Sequence, residues 1–397
     1  MLAALFKTLN MPCVRFLIVV LIAAFGLTSA WADDTPAFDT VAKQAILIDA
    51  KSGAVFYEKD ADTPVPPASM SKLMTQSIVF DMLKKGDLKL DQLMNVSVDA
   101  WKRGGAGAGG STMYAEVNSQ ITLDNLLHGA IIQSANDACI VMAENIAGTE
   151  QAFAQRMNDR AKDLGLKNSS FANSTGLPDP GQRMSVRDLA MLARYIILNH
   201  PDYYKIYSQP DFTWNKIKQD NRNPLLKDYP GADGMKTGYT KEAGYGLVGS
   251  ATRDGRRLIM VVAGLDAIDQ RKTEAQKLLD FGFNQFKSIT IYEAGDIVTK
   301  ARVWGGEERW VNLVIPDAFR IALSSFEQDK AEVKMSYNGP LLAPVKAGAK
   351  VGTVILLVDG KPVASAPLEA AADITASQSM WSKATDSALM MLSLIHI

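Results

Sequence analysis

The sequence predicts an α+β protein in two parts, a first domain that mixes strands with helices and a smaller all-β domain after it. Three observations indicate this organisation. Strand-like pairs near both ends of the first 287 residues enclose a stretch with mainly helical periodicity. After about Lys287 this periodicity gives way to short alternating runs. The length of 397 residues and the hydrophobic content of 47% suit a globular chain of about two domains.

The first domain, residues 33–287, is predicted to begin with a β-hairpin, to be mainly helical in its middle and to have a late hairpin ahead of a last helix. Each hairpin has two apolar runs around a turn sequence: 45–50 and 54–57 around Lys51-Ser52-Gly53, and 245–252 and 256–265 around Arg253-Asp254-Gly255. A helix is predicted to begin at Pro67-Ala68-Ser69 and to end at Lys84-Lys85-Gly86. Further helical patterns cover residues 123–146, with a break at 133–136, and residues 151–164, 185–198 and 273–286.

The second domain, residues 288–372, is predicted to be all β. Val354, Leu356 and Val358 alternate ahead of Asp359-Gly360, which is the pattern of a strand that enters a turn. Its size of about 80 residues is normal for a domain. This part of the sequence contains no cluster of candidate catalytic groups.

Residues 1–32 are predicted to be a secretory signal peptide. Two basic residues precede an apolar run, and Ala30 and Ala32 give the small-x-small end of a cleavage site. The apolar run is short for a membrane span, although an uncleaved N-terminal anchor is the alternative. The start residue is either Met1 or Met11. We therefore expect an exported protein.

Composition and charge exclude several classes of function. Forty-two Lys and Arg against 43 Asp and Glu leave no overall basic field for nucleic-acid binding. With three His residues in the chain, a zinc site is not expected, and no cofactor is predicted. A Gly-x-Ser-x-Gly elbow, which would accompany a Ser-His-Asp triad, is absent from the sequence. Cys139 is the one cysteine left after signal removal and is interpreted as a buried apolar residue.

Gly105, Gly107 and Gly110 satisfy the Gly-x-Gly-x-x-Gly pattern of dinucleotide-binding loops. No strand is predicted before them and no helix begins at the last glycine. The segment is therefore interpreted as a flexible surface loop and not as a phosphate site.

Three short motifs carry the candidate chemistry and occur in a fixed order. They are Ser69-Met70-Ser71-Lys72, Ser134-Ala135-Asn136 and Lys236-Thr237-Gly238. Each motif is short enough to occur by chance, so three unrelated polar patches are the alternative interpretation. The ordered combination is far rarer than any single match, and it favours one shared site.

The first motif suits a nucleophile and its base. A serine hydroxyl is a poor nucleophile until a base removes its proton. On a helix, Lys72 lies on the same face as Ser69 and can reach Oγ. Backbone N–H groups at the helix N-terminus favour negative charge on a bound carbonyl oxygen. Burial, and the ammonium of Lys236 nearby, would lower the pKa of Lys72 and so favour its neutral form.

The other two motifs suit proton transfer and substrate recognition. Asn136 offers an amide that can orient both the substrate and Lys72. Ser134 can carry a proton to the leaving group. Lys236 and Thr237, on a strand, can bind an anionic carboxylate through charge-assisted hydrogen bonds.

The set of motifs is similar to that of the serine penicillin-recognising enzymes. Longer stretches around the motifs resemble the D-alanyl-D-alanine carboxypeptidases, the low-molecular-mass penicillin-binding proteins of peptidase family S11. These stretches are residues 67–75, 133–138, 221–226 and 233–238. The resemblance extends over nearly all of the chain after the signal peptide, including the β-rich domain.

The resemblance implies a β-lactamase/transpeptidase-like catalytic domain, with helices on the faces of an antiparallel sheet and a cleft beside a helical subdomain. The implied substrates are peptidoglycan stem pentapeptides, and β-lactams are the implied covalent inhibitors. Ser69 would attack the bond between the terminal D-alanines, and Lys72 would be the base. The oxyanion would lie on the backbone N–H groups of Ser69 and Tyr239, and water would hydrolyse the acyl-enzyme.

The resemblance also assigns further substrate-binding residues. Gly238 completes the third motif, and Tyr239 follows it where some members have His, which affects the expected substrate preference. Arg222 and Arg271 match arginines near the family's cleft and would help to hold the terminal carboxylate. A surface ion pair is the alternative role for each of them.

Residues 373–397 are predicted to be an amphipathic tail on the outer face of the inner membrane, as in the family, so the expected location is periplasmic and membrane-attached. Trp381, Ala384, Ala388 and Met391 share one helical face. A short frayed tail is the alternative. Residues 392–397 match the translation of a common sequencing-adapter string, so we expect an artefact that truncates the native anchor.

Three other functions compete with this interpretation. A class A β-lactamase shares the motifs, but residues 171–178 contain no Glu to activate a deacylating water. An endopeptidase would cleave cross-linked dimers and would not release D-Ala from single chains. A non-catalytic wall-binding protein would not need Ser69, Lys72 and Lys236 together.

Overall fold

The computed structural model describes residues 38–379 of the chain. The predicted signal peptide, and residues 380–397 of the predicted tail, lie outside these residues. Within residues 38–379 no helix is long and apolar enough to cross a membrane.

The first part of the described chain mixes strands and helices, as the sequence predicts. Its strands are β1 (Gln44–Asp49), β2 (Val55–Lys59), β3 (Leu93–Asn95), β4 (Gln120–Thr122), β5 (Asp211–Trp214), β6 (Ile217–Asp220), β7 (Ala232–Thr240), β8 (Gly244–Arg253) and β9 (Arg256–Leu265). Its α-helices are α1 (Lys72–Lys85), α2 (Val98–Gly104), α3 (Leu123–Ile132), α4 (Asn136–Ala147), α5 (Glu150–Asp163), α6 (Val186–Asn199), α7 (Pro201–Tyr204) and α8 (Gln270–Gln285). Short 3₁₀ segments are Ala68–Ser71, Ala106–Ala108, Lys205–Ser208 and Pro224–Lys227.

A five-stranded antiparallel sheet in the order β2-β1-β9-β8-β7 forms the frame of this part. The two predicted hairpins, β1–β2 and β8–β9, are both present. They join because Ile46 of β1 pairs with Val261 of β9. Strand β7, which carries the third motif, completes one edge of the sheet.

The sheet is buried on both faces because its central strands are apolar at successive positions. Ile46 and Ile48 belong to the large core that also contains residues of α1, α3, α4 and α6. Leu47 between them points to a second core, which contains Leu278 and Leu279 of α8. The predicted layout of helices on the faces of an antiparallel sheet is confirmed.

Helix α1 runs through the centre of the large core. All its residues from Lys72 to Phe80 are buried, and it ends at Gly86, whose φ of 83° is left-handed. The sequence predicted that this helix begins at Pro67-Ala68-Ser69. A 3₁₀ turn occupies Ala68–Ser71 instead, and the α-helix begins at Lys72. This difference affects the site, because Ser69 lies in the turn.

The second part of the described chain is β-rich, as predicted. Its strands are β10 (Phe286–Tyr292), β11 (Ile297–Trp304), β12 (Trp310–Val314), β13 (Phe319–Ser324), β14 (Ala331–Tyr337), β15 (Leu341–Leu342), β16 (Lys350–Val358) and β17 (Lys361–Ala370). They form a six-stranded sheet in the order β14-β16-β17-β12-β11-β15 and the pair β10–β13. One short helix, α9 (Ser325–Asp329), interrupts the strands. This part has a hydrophobic core of its own.

Candidate active site

Ser69 and Lys72 lie in hydrogen-bond contact at the start of α1. Nζ of Lys72 is 2.8 Å from Oγ of Ser69. Ser69 is partly exposed and lines a cleft of about 950 Å³, whereas the side chain of Lys72 is completely buried. The pair therefore presents a nucleophile to the cleft with an amine directly behind it.

The turn that holds Ser69 is fixed by close backbone contacts on two sides. Ala68 has a left-handed φ of 48°. A Cβ on Gly176 would lie 1.9 Å from the carbonyl oxygen of Ala68, and a Cβ on Gly238 would lie 2.9 Å from that of Pro67. These glycines let a loop and strand β7 approach the turn closely enough to form one site.

The surroundings of Lys72 lower the pKa of its amine. Burial is the largest cause of a lowered pKa, which falls to about 8. Besides Ser69, Nζ contacts Oδ1 of Asn136 at 2.8 Å and the carbonyl oxygen of Thr175 at 2.5 Å. Asn136 and Thr175 fix the position of the amine. The third position on its nitrogen, which is a lone pair in the neutral amine and a proton in the charged one, is therefore directed towards Ser69.

The second motif lies where α3 ends and α4 begins. Ser134 is in the break between these helices and has a left-handed φ of 62°, which turns the chain sharply. Asn136 is the first residue of α4, and its backbone N–H donates to the carbonyl oxygen of Ser111 at 2.7 Å. Ser134 lines the same cleft as Ser69.

The third motif lies on β7, which packs against the Ser69 turn. Lys236 and Thr237 are both buried, and Thr237 and Gly238 line the cleft. Nζ of Lys236 donates to the carbonyl oxygen of Thr237 at 3.1 Å. Burial first, and then the nearby charge of Lys72, hold the pKa of Lys236 well below its usual range. An anionic ligand beside Lys236 would offset both effects.

Tyr239, Arg222 and Arg271 also line the cleft. Tyr239 stacks on Tyr245 with ring centroids 4.2 Å apart, and the guanidinium of Arg271 lies over the Tyr245 ring. Arg222 donates to Oγ of Ser111. Within residues 38–379 neither arginine forms an ion pair with a carboxylate, and Nε of Arg271 is buried without a hydrogen-bond partner. The alternative of surface ion pairs is therefore not supported.

The sequence does not predict two further features of the site, the glycine-rich segment beside the cleft and the buried Thr175 carbonyl. Gly109, Gly110 and Ser111 line the cleft, although the glycine-rich segment was interpreted as a flexible surface loop. A Cβ on Gly110 would lie 2.9 Å from Nδ2 of Asn136, so this glycine packs against the site. Thr175 contributes its backbone carbonyl to Lys72.

Three other nucleophilic or titratable side chains of this part of the chain are buried, which suits a structural role. Cys139 is buried, as predicted, and burial raises the pKa of its thiol to about 11. Oγ of Ser71 donates to the carbonyl oxygen of Ala68 and is buried. His200 is buried against Asp81. Within the described residues no group of three or more His, Cys, Asp or Glu side chains could hold a metal ion.

The cleft brings together a serine hydroxyl, a buried amine with a lowered pKa, and two arginines that form no ion pair with a carboxylate of residues 38–379. These groups define a class of protein. They are the groups of a serine enzyme that transfers acyl groups with lysine as base. The fold and the order of the three motifs narrow the class to enzymes that recognise penicillin.

Comparison with known proteins gives the family. Residues 30–267 match the sequence model of Peptidase_S11, described as D-alanyl-D-alanine carboxypeptidase. Residues 286–376 match the model described as the C-terminal domain of penicillin-binding protein 5. The chain belongs to the D-alanyl-D-alanine carboxypeptidase family.

Individual relatives agree with this assignment. D-alanyl-D-alanine carboxypeptidase DacC of Escherichia coli (strain K12) is 39% identical over 87% of this chain and 87% of its own length. The crystal structure of penicillin-binding protein 5 from Haemophilus influenzae has a TM-score of 0.77 at 37% identity, over 85% of this chain and 99% of that one. Penicillin-binding protein D2 from Listeria monocytogenes in its ampicillin-bound form has a TM-score of 0.54 at 30% identity, over 63% of this chain and 100% of that one.

Proposed function

We propose that Ser69 is the nucleophile with which this protein, a serine-type D-alanyl-D-alanine carboxypeptidase, removes the terminal D-Ala from peptidoglycan stem pentapeptides. The observation that carries the proposal is the 2.8 Å contact between Oγ of Ser69 and the buried Nζ of Lys72. No cofactor takes part in the proposed reaction.

Acylation begins when neutral Lys72 accepts the proton of Ser69. Oγ then attacks the carbonyl carbon between the two D-alanines, and the oxyanion is stabilised by the backbone N–H groups of Ser69 and Tyr239. The proton passes through Ser134 to the nitrogen of the leaving D-Ala, while Asn136 keeps Lys72 in place. Water then attacks the ester carbonyl, and Ser69 recovers its proton.

The terminal carboxylate of the substrate is proposed to bind to Lys236 and Thr237. Arg222 and Arg271 line the same cleft and add positive charge to it. The buried amine of Lys236 has a backbone carbonyl as its acceptor and lacks a carboxylate partner within residues 38–379. A substrate carboxylate would supply that partner, which explains why a peptide with a free C-terminus would be preferred.

Penicillin is proposed to acylate the same serine. A β-lactam presents a carbonyl carbon to Ser69 and a carboxylate to Lys236, like the D-Ala-D-Ala terminus. The ampicillin-bound form of the Listeria monocytogenes relative supports this proposal.

The enzyme is proposed to work in the periplasm, attached peripherally to the outer face of the inner membrane. The support is the sequence of the predicted signal peptide, residues 1–32, and of the predicted tail, residues 373–397. The signal peptide and residues 380–397 of the tail lie outside the described residues. Its peptidoglycan substrate lies outside the cytoplasm, so an exported enzyme fits the proposed activity.

The test measures release of D-Ala from a pentapeptide and covalent labelling by a fluorescent penicillin. Ser69→Ala is expected to abolish both, because it removes the proposed nucleophile. Ser77→Ala is the matched control, since this buried serine of the same helix donates only to Met74.

Each competing function gives a different result. Labelling that survives Ser69→Ala would refute the proposed nucleophile. Cleavage of cross-linked dimers without D-Ala release would indicate an endopeptidase. Rapid hydrolysis of the penicillin would indicate a β-lactamase. A wild-type protein that is neither labelled nor active would indicate a non-catalytic wall-binding role.

A further inference from the structure

A charged contact connects the protein surface to the loop before α6. The Thr175 carbonyl of this loop accepts a hydrogen bond from Lys72. Glu150, the first residue of α5, is 8% exposed. Its Oε1 accepts hydrogen bonds from the backbone N–H and Oγ of Ser174, at 3.0 and 2.5 Å. Its Oε2 accepts from Nη2 of Arg103 at 2.7 Å. We call Arg103, Glu150, Ser174 and Thr175 the Glu150 strap.

The strap ends at the proposed base. The carbonyl oxygen of Ser174 accepts from Oγ1 of Thr75, at 2.7 Å, and Thr75 lies on α1 close to Lys72. Ser174 is thus held on its N–H side by Glu150 and on its carbonyl side by α1. The next carbonyl, that of Thr175, accepts from Nζ of Lys72 at 2.5 Å. A displacement of Ser174 would therefore move an acceptor of the base.

The far side of this loop is open. A cavity of about 730 Å³ lies there, lined by Arg103 and Glu150 on one side and by Ala172, Asn173 and Leu177 of the loop on the other. Asn173 closes the turn on itself, since its Oδ1 accepts from the N–H groups of Thr175 and Gly176. Helix α5 holds this loop at two points: Asn158 exchanges hydrogen bonds with the backbone of Phe171, at 2.7 and 2.9 Å, and Glu150 holds Ser174. Glu150 is the contact nearer in sequence to Thr175.

We propose that Glu150, held by Arg103, is a positioning residue for Lys72, because it keeps the Thr175 carbonyl against Nζ and so aims the amine at Ser69. This inference rests on the proposed function, in which Lys72 is the base. Glu150 does not touch Ser69 or Lys72 and acts through the loop.

The strap also contributes charge near the base. The charged or titratable groups that face Lys72 from the elements around it are Cys139, Arg222, Asp137, Glu150 and Lys236. A negative charge on Glu150 and a carbonyl acceptor at Nζ both favour the protonated amine. Loss of either shifts the midpoint of the pH profile of acylation to lower pH, because the neutral amine then forms at lower pH.

The experiment measures the rate constant of penicillin acylation from pH 5 to 10 in the full chain. Glu150→Ala removes both the charge and the acceptors, and Glu150→Gln keeps one acceptor for Ser174. Asp99→Asn is the matched control, because Asp99 pairs with the same guanidinium as Glu150 but lies at the surface. Folding of each variant is checked by thermal unfolding.

Glu150→Ala is expected to lower the plateau rate by at least about 10-fold, since misplacement of a catalytic group is costly. Its midpoint should move to lower pH. Glu150→Gln should keep most of the plateau rate and move the midpoint in the same direction. Asp99→Asn should change neither quantity.

A folded Glu150→Ala protein with the wild-type plateau and midpoint would overturn the inference. If this variant fails to fold, an unchanged midpoint in Glu150→Gln would overturn it equally. An equal loss in Asp99→Asn would also contradict it, because the effect would then belong to the surface pair. A wild-type protein that is never labelled would refute the proposed function instead.

Discussion

At the scale of single residues, two buried lysines share one cleft and have different surroundings. Lys72 has three oxygen acceptors, from Ser69, Asn136 and Thr175, which hold its amine in one place. Lys236 donates to one backbone carbonyl. Burial is the largest cause of the lowered pKa of both amines, and the nearby charge of Lys72 lowers the pKa of Lys236 further. This contrast supports a base in one position and an anion-binding group in the other.

The pKa of Lys72 predicts the pH dependence of acylation. The base must be neutral, and its neutral fraction rises with pH until the pKa of about 8 is passed. The rate constant of penicillin acylation should therefore rise about 10-fold per unit below pH 8 and level off above it. Stopped-flow measurement from pH 5 to 10 checks this. A rate that stays constant across this range would show that Lys72 is not the base.

Lys236 predicts a preference for free C-termini. Lys236→Ala should raise KM for a peptide acid by at least about 10-fold, because a charge-assisted contact worth roughly 1.5–3 kcal/mol is lost. The same variant should hardly change the weaker turnover of the peptide amide. Lys241→Ala, at an exposed lysine that follows the same strand, is the control. Equal wild-type turnover of acid and amide would contradict the assignment.

The sequence predicts side-chain chemistry better than backbone chemistry. Ser69, Lys72 and Asn136 were found because their residue types repeat a known order of motifs, and the structure brings them into contact. The Thr175 carbonyl was missed because every residue has a carbonyl oxygen, so residue type carries no signal for it. A packed loop rather than a motif places this group.

At the scale of elements, the site depends on three pieces of chain that meet at the Ser69 turn. Strand β7 approaches through Gly238, and the loop before α6 approaches through Gly176. The turn itself is a 3₁₀ segment joined to α1. Each close approach requires a residue without a Cβ. A single added methyl group would therefore push the elements apart.

Gly176→Ala tests this close approach. The added Cβ would lie 1.9 Å from the carbonyl oxygen of Ala68, so the loop or the Ser69 turn must move. Gly86→Ala is the matched control, because Gly86 also has a left-handed φ but no atom within 4 Å of the added Cβ. The control should cost roughly 1–2 kcal/mol of the free energy of unfolding.

Gly176→Ala should cost more and should also slow penicillin acylation, as measured by urea unfolding and by labelling. Equal unfolding free energies for the two variants, with normal labelling, would show that the loop tolerates the methyl group.

Elements with strong local signals were predicted, and those without were not. The β8–β9 hairpin follows from Arg253-Asp254-Gly255 between two apolar runs, and it is present. The three-residue strands β3 and β4 were missed because so few residues give no periodicity. The segment at Gly110 is exposed, as expected of a surface loop, but its position beside the cleft could not be predicted, because its contact with Asn136 joins residues far apart in the sequence.

At the scale of the whole molecule, the chemistry is confined to the first part of the chain. The cores that hold α1, β7 and α8 consist of residues before Phe286, and the β-rich part has a separate core. Phe286, at the start of β10, stacks on Phe56 of β2 with ring centroids 4.1 Å apart. The predicted division near residue 287 remains a prediction. The cleft residues all lie before it.

The arrangement of carboxylates in the whole molecule predicts the lifetime of the penicillin adduct. Rapid deacylation needs a base that activates water beside the ester. Within residues 38–379 no carboxylate hydrogen-bonds to Ser69 or Lys72. Asp188 binds Asn168 and Ser169, and Asp179 binds Gly181, so both serve their own loops.

Penicillin should therefore form a stoichiometric adduct at Ser69 that persists well beyond the time of acylation. Intact-protein mass spectrometry at successive times after removal of free drug measures its decay, and peptide mapping locates it. The stem peptide, by contrast, loses D-Ala as its leaving group, so water can enter the space that D-Ala vacates. A β-lactam keeps its leaving amine tethered in the cleft, and this further hinders water. Rapid loss of the adduct with steady hydrolysis of the drug would show that another group activates water, and would favour the β-lactamase interpretation.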